Sequence, residues 1–364
     1  MKKWRKHIII FLLLTCITGL IGCTRTRIID KISIVHVFGF DLADNGDLVG
    51  TALFPEYTKS KDSDEIQYLS VKAPTGILLV RNMSEYTSTP VEISKIRVLL
   101  FGKNYAEEGI QDMVDRFIIN PQVGTNIQIA ISTESAKETL NIFKEEKSLT
   151  LADRLRHNME RHTLPNMNLH VFLNHFYGEG MDAYVPMVTT EDKNRRVKID
   201  GLGIFKNNKL KLHLNPEQTI IFSLINDEKT EADYQIEVDE SDRSENLVIR
   251  TYQSKSKWDW DKEGQKLKLN LQLEATLTHY PDRFNSEKPE DIRKLKKLIT
   301  EKLEKDIDKL LALLKENEVD PIGLGNIVRS QDRSWKKDSF YELYPALPIQ
   351  ADINLEIIHS GLQS

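Results

Sequence analysis

Cysteine is confined to the first 23 residues of this chain, and this decides how the rest can be held together. The sequence contains two cysteines, Cys16 and Cys23, and none from residue 24 to residue 364. The residues beyond Cys23 therefore offer no disulfide framework, no cysteine-based zinc site and no thiol nucleophile. They must fold around a hydrophobic core, and a hydrophobic content of 40% fits an ordinary globular protein.

The amino-terminal segment has the pattern of a secretory signal peptide. Residues 1–7 are basic and carry no acid, and residues 8–21 are almost wholly apolar. This run is shorter than the roughly 20 apolar residues that a membrane-spanning helix needs. A basic start, a short apolar run and small residues at its end predict that residues 1–22 are cleaved. An ordinary signal with an incidental cysteine and an uncleaved anchor are the alternatives.

The end of this segment, Leu20-Ile21-Gly22-Cys23, resembles the lipobox of bacterial lipoproteins. The resemblance implies cleavage before Cys23, with S-diacylglycerol on its sulfur and an N-acyl chain. Cys16 is not the candidate, because it lies inside the apolar run after the bulkier Thr15. Two acyl chains give stable anchoring where one does not. We therefore expect a protein tethered on the outer face of the cell membrane.

The charge of the expected mature chain argues against nucleic acid as a partner. The signal carries four of the 50 basic residues and no acid, so 46 Lys and Arg remain against 55 Asp and Glu, a net charge of −9. No basic run exceeds three residues. An acidic chain without such a run is a poor candidate for nucleic-acid binding or for a polybasic grip on a membrane.

Strand and helix patterns alternate over the first half of the mature chain. Residues 32–42 and 47–54 have the composition of strands, and Asp44-Asn45-Gly46 between them is a strong hairpin signal, for which we expect a type I′ turn. Further strands are predicted near 93–102 and 125–133, and helices near 75–87, 106–120, 134–146 and 150–180. This alternation predicts an α+β or mixed α/β fold.

A polar segment at 189–196 predicts a boundary between two domains. We expect an N-terminal α/β domain at 23–190, which could itself subdivide, and a C-terminal α/β domain at 191–364. The second contains a predicted hairpin at Asn207-Asn208, a half-buried strand from Leu267 to Leu273, and a long helix at 291–316 whose apolar residues recur every three or four positions. The overall prediction is a multidomain protein of mixed sheets packed with long helices.

Residue clusters that could carry chemistry do not have the required spacing. His157, His162, His170 and His175 fall in two pairs five residues apart, whereas a helical zinc pair needs a spacing of four. Asp41, Asp44 and Asp47 mimic a calcium loop, but the glycine comes too early. No G-x-S-x-G or G-x-G-x-x-G pattern occurs. We therefore expect no catalytic residue, no metal and no cofactor.

Two further segments have both a functional and a structural interpretation. Trp258-Asp259-Trp260 could stack on a sugar, but a loop packed on the sheet is the favoured interpretation. The helix at 291–316 could dock on a partner, but its apolar stripe is favoured as the core of its own domain.

The order of several motifs resembles the Ger(x)C family, the C-subunit lipoproteins of spore germinant receptors. Cys23 would open the mature chain, and the matching segments follow in order: "ISIVHVFGFD", "KIRVLLFGKNYAEEGI", "MVDRFIINPQ", "IDGLGIFKNNKL", "DPIGLGNIV", Trp335 and "INLEIIHSGL". The resemblance spans nearly the whole mature chain. It implies a mixed α/β fold, described for the family as three domains.

The resemblance also implies a non-catalytic role in spore germination. Such a subunit sits on the outer face of the inner spore membrane with two integral membrane subunits of the germinant receptor, and the complex responds to nutrients. The competing interpretation is a stand-alone extracytoplasmic lipoprotein that binds a small ligand. An envelope hydrolase is a third, disfavoured by the missing catalytic motifs.

Overall fold

The computed structural model describes Trp4 and residues 32–56, 65–119, 123–191, 196–226, 231–240 and 243–358. Cys23, the predicted lipid attachment residue, and, apart from Trp4, the predicted signal peptide at 1–22 lie outside the described residues. Lipidation and cleavage therefore stay predictions.

The described residues alternate strands and helices along the whole chain. The strands are β1 (Ser33–Ile34), β2 (Val37–Leu42), β3 (Leu48–Glu56), β4 (Glu65–Ala73), β5 (Val91–Glu92), β6 (Val98–Gly102), β7 (Gln128–Ser132), β8 (Tyr184–Glu191), β9 (Arg196–Lys206), β10 (Lys209–Leu214), β11 (Asp233–Glu240), β12 (Arg243–Asp261), β13 (Lys266–His279) and β14 (Ile349–Ile357). The helices are α1 (Gly76–Ser84), α2 (Lys103–Glu108), α3 (Gln111–Ile119), α4 (Ala136–Glu145), α5 (Leu151–Glu160), α6 (Leu169–Tyr177), α7 (Pro216–Asn226), α8 (Pro289–Glu316), α9 (Leu324–Gln331) and α10 (Lys337–Leu343), the last followed by a 3-10 turn (Tyr344–Ala346). The predicted α+β class is confirmed, although α8 is the one long helix among the described residues.

An eight-stranded mixed sheet occupies the first half, in the order β10-β9-β8-β7-β6-β2-β3-β4. Its four central strands, β8, β7, β6 and β2, run parallel, and the outer strands are antiparallel. Successive side chains of a strand point to opposite faces. A Cβ on Gly39 would meet Leu140 of α4, whereas the next residue, Phe40, stacks on Phe117 of α3. Helices therefore cover both faces, and all five residues of β6 are buried.

A four-stranded sheet, in the order β11-β12-β13-β14, forms the second half together with α8. The alternation predicted along β13 is confirmed, because Leu267, Leu269, Leu271 and Leu273 are all buried. The apolar stripe of α8 is buried as well, from Leu295 to Leu314, which confirms that this helix forms the core of its own half. Pro289 occupies its first turn, where a missing N–H costs nothing.

The two predicted hairpins have different outcomes. The hairpin at Asn207-Asn208 is confirmed as a two-residue turn between paired Lys206 and Lys209, with Asn207 at φ 55°. The hairpin at Asp44-Asn45-Gly46 also forms, but not as a type I′ turn. Pairing stops at Leu42 and Leu48, and of this turn Gly46 alone adopts positive φ. The longer loop relieves its other residues of that conformation.

The interpretation of Trp258-Asp259-Trp260 as a loop is wrong. These residues lie in β12, paired with Leu269, Lys268 and Leu267 of β13. All three residues are half-buried, and the Trp258 indole N–H donates to the backbone oxygen of Ile225 at 3.1 Å.

The eight-stranded sheet crosses the predicted boundary at residue 190. Strand β8 ends at Glu191, and β9 and β10 follow the polar segment and complete the same sheet on the β8 side. Backbone pairing thus joins residues on both sides of 190. The division of the chain into units at 23–190 and 191–364 stays a prediction.

Candidate functional site

Asp320 lies in the loop after α8 and is fully buried. Its Oδ1 accepts hydrogen bonds from the backbone N–H groups of Gly323 at 3.0 Å and Leu324 at 2.8 Å. Its Oδ2 accepts from Gly325 N–H at 2.8 Å. The carboxylate thereby caps the start of α9, where the first N–H groups of a helix have no internal partner.

Asp182, from the loop before β8, completes the arrangement from the other half of the chain. The backbone N–H of Asp320 donates to Asp182 Oδ2 at 2.7 Å, and Lys206 Nζ donates to the same oxygen at 3.1 Å. Lys206 also lies 4.9 Å from the centre of the Tyr341 ring, whose hydroxyl donates to Asp320 Oδ2 at 3.3 Å. We call Asp182, Lys206, Asp320 and Tyr341 the polar junction.

Burial dominates the protonation of the polar junction. It raises the pKa of Asp320 to about 7, and the nearby charge of Asp182 acts in the same direction, while the backbone N–H groups oppose both. Burial also raises the pKa of Asp182, against the attraction of Lys206. Burial also raises the pKa of Tyr341 in α10 and of Tyr344 in the 3-10 turn.

Two glycines let the backbones of the two halves touch at the polar junction. Gly180 accepts a hydrogen bond from the Asn326 N–H at 2.8 Å and adopts φ 86°. A Cβ on Gly180 would lie 2.7 Å from Asn326 N, and one on Gly325 would lie 2.9 Å from the Gly180 Cα. No side chain fits in this contact, so glycine is needed at both positions for the two halves to come this close.

Sequence reasoning did not identify the polar junction. The segment "DPIGLGNIV" contributes to the sequence analysis only as a motif of the family resemblance, which does not indicate its structural role. An aspartate ahead of a Gly-x-Gly at a helix start is the local signal for a capped, tightly packed turn. Nothing local links it to Asp182, which is 138 residues earlier in the chain.

Asp41 forms a second buried cap, inside the eight-stranded sheet. It lies one residue before the end of β2 and accepts from the N–H groups of Ala136 at 2.7 Å and Lys137 at 2.8 Å, at the start of α4. Burial raises its pKa, and these two N–H groups oppose that effect. Both carboxylate oxygens of Asp41 accept from the start of α4, so this side chain is not grouped with Asp44 and Asp47 as a calcium loop would require.

The four histidines are dispersed. His170 approaches Asn174 at 3.4 Å on the exposed side of α6, and His162 lies in the left-handed region at φ 54° after α5. His175 is half-buried 5.3 Å from the Tyr184 ring, and burial lowers its pKa to about 4. His157 lies exposed on α5. In the part of the chain that the structure describes, no three His, Cys, Asp or Glu side chains form a group that could hold a metal ion.

The chemistry of the polar junction is that of a structural connection. Its carboxylates accept from backbone N–H groups, an ammonium group and a phenol, and each of these donors comes from a fixed position in a loop, strand or helix. Such a network fixes the position of one half of the chain against the other. Among the described helices, none is long and apolar enough to cross a membrane.

Comparisons with known proteins match almost the whole chain. Residues 25–190 match the family model of the spore germination protein N-terminal domain, and residues 200–361 match the model "Spore germination B3/GerAC like, C-terminal". The curated spore germination protein GerQC of Bacillus cereus is 29% identical over all of this chain and 99% of its own length. The crystal structure of the GerBC protein has a TM-score of 0.57 at 17% identity, covering 88% of this chain and 97% of that one, which shows the fold.

Proposed function

Because this chain belongs to the Ger(x)C family of spore germination proteins, we propose that it is the lipid-anchored, non-catalytic C subunit of a germinant receptor. The observation that carries the proposal is the end-to-end match to two successive family domains and to GerQC, a spore germination protein of the same length. In this role the protein works through contacts with other proteins at the membrane.

The anchor in this proposal is Cys23. Supporting it are the lipobox ahead of Cys23 and the lack of any other cysteine in the mature chain. Replacing Cys23 with Ala should leave a folded protein that is released from the membrane fraction, because no acyl chain can then be attached. Immunoblotting of the membrane and soluble fractions of spores tests this. A Cys16→Ala chain is the matched control and should stay at the membrane. Retention of the Cys23→Ala protein would contradict lipid anchoring at this residue.

The partners in this proposal are the integral membrane subunits of the receptor. The test is cross-linking in spore inner membranes, purification through an affinity tag on this chain, and mass spectrometry of the proteins recovered. Recovery of multi-spanning proteins in comparable yield would support a receptor subunit. Recovery of this chain alone would favour the stand-alone ligand-binding lipoprotein, and nucleic acid is not expected in either case.

A further inference from the structure

Strand β1, the first described strand, shows from which part of the fold the chain leads back toward Cys23. Strand β1 pairs with β5, and Ser33 contacts the segment just before β5, through its N–H to Pro90 O at 2.9 Å and its hydroxyl to Thr89 Oγ1 at 2.8 Å. Cys23 is nine residues before Ile32, so even a fully extended chain spans at most about 30 Å between them. An anchor on Cys23 therefore keeps the segment between α1 and β5 near the membrane.

The two most exposed large apolar side chains beyond residue 32 lie on α1 and just after it, next to this segment in the chain. Tyr86, directly after α1, is 74% exposed, and Ile77 on α1 is 69% exposed; from residue 32 onward no other described large hydrophobic residue is as exposed. The opposite side of α1 is fixed in the core by Leu79 and Met83, both fully buried. Helix α1 thus presents Ile77 outward from a rigid support.

The charges around these two side chains suit an anionic surface. Arg81 and Lys95 are exposed, and neither forms a salt bridge with another described residue, whereas Glu85 is the exposed acid of this segment. The mature chain as a whole is acidic, so most of its surface is repelled by anionic headgroups. Two dispersed cations are not a polybasic anchor, but they balance the two acids of residues 76–95, so that this segment carries no net negative charge.

We propose that the surface of α1 and of the segment after it, with Ile77, Arg81 and Tyr86, rests on the lipid headgroups of the membrane that holds Cys23. This inference rests on the proposed lipid anchor. Tyrosine is enriched at membrane interfaces because its ring is apolar and its hydroxyl is wet. Two such side chains are too few to hold a soluble protein on a bilayer, but the tether supplies a high local concentration, so that they orient a protein already anchored.

The test is photolabelling of the lipidated chain in vesicles of phosphatidylglycerol and phosphatidylethanolamine that contain a diazirine-bearing phospholipid. Trypsin cuts after Lys72, Arg81 and Lys95, so Ile77 and Tyr86 fall in separate peptides, 73–81 and 82–95. We expect both to carry severalfold more lipid label than peptide 251–255, which contains the exposed Tyr252 of β12. Label distributed evenly, or concentrated elsewhere, would overturn the proposal.

Matched variants distinguish a loss of contact with the membrane from a loss of folding. Ile77→Asp with Tyr86→Asp should reduce the label on both peptides severalfold, Ile77→Leu with Tyr86→Phe should preserve it, and Tyr252→Asp should leave it unchanged. A chain that begins at Cys23, coupled through this single thiol to a maleimide lipid, gives the same readout without biological lipidation. If this chain is labelled in vesicles but the Cys23→Ala protein stays membrane-bound in spores, the lipid anchor is contradicted. If a lipidated chain carries no label on these two peptides, only the proposed orientation is contradicted.

Discussion

Asp320 illustrates how a single carboxylate can shape the pH response of the whole protein. Its pKa is raised from near 4 to about 7 in the folded state. Between these two pH values the folded protein binds more protons than the unfolded chain. The contribution of Asp320 to the free energy of unfolding is therefore largest below pH 4 and declines as the pH rises to about 7.

The substitution Asp320→Asn should remove this decline and lower stability. The amide cannot accept all the hydrogen bonds that the carboxylate takes, so a buried N–H at the start of α9 loses its partner, at a cost of about 1–3 kcal/mol. We expect the difference from the parent to be largest at pH 4 and to narrow as the pH rises to about 7. Urea unfolding across this range measures it. Asp308→Asn on the exposed side of α8 serves as control, and an unchanged pH slope in Asp320→Asn would refute the account.

Gly102 leaves room for the other buried cap. A Cβ at this position would lie 2.0 Å from Asp41 Oδ1, so Gly102→Ala should displace the carboxylate from α4. We expect a loss of about 1–3 kcal/mol in the free energy of unfolding, as for other overpacked sites. Thermal unfolding compares this variant with Gly124→Ala, because a Cβ on Gly124 meets nothing within 4 Å. Equal stability of the two variants would show that Asp41 moves without cost.

Among the elements, α8 has the clearest relation between sequence and packing. Its buried residues follow the three-and-four spacing from Leu295 to Leu314. Leu303→Ala should cost about 2–5 kcal/mol, because a fully buried leucine leaves a cavity behind. Glu304→Ala, the exposed neighbour, should change stability by less than about 0.5 kcal/mol. Chemical denaturation distinguishes the two, and a cost near zero for Leu303→Ala would mean that α8 is not essential to this core.

The elements also show where sequence reasoning succeeds and where it stops. The turn at Asn207-Asn208, the alternation in β13 and the stripe of α8 are local patterns, and each was predictable because its cause lies within a few residues. The order of the eight-stranded sheet was not, since β2 pairs with β6, and β3, β4, α1 and β5 lie between them in the chain. The cap of Asp41 on α4 joins residues 95 apart, and no local pattern reports such a contact.

At the scale of the whole molecule, the polar junction predicts that the two sheets unfold together. Gly325→Ala should break the close approach to Gly180 and separate one calorimetric transition into two, because each sheet retains its own core. Ser330→Ala, in an exposed position of the same helix, should keep a single transition. A single transition in Gly325→Ala at an unchanged temperature would show that coupling between the halves runs elsewhere.

The pairing of β8 with β9 has a consequence for any attempt to produce half of this protein. A fragment that stops at residue 190, where the first family model ends, removes β9 and β10 and leaves β8 as the edge of the sheet. Its residues Tyr184 to Val188, all buried in the intact chain, would then offer an apolar strand with unpaired N–H and C=O groups to neighbouring molecules. Such a fragment should self-associate, whereas one extended to Asn226 keeps the sheet closed on that side.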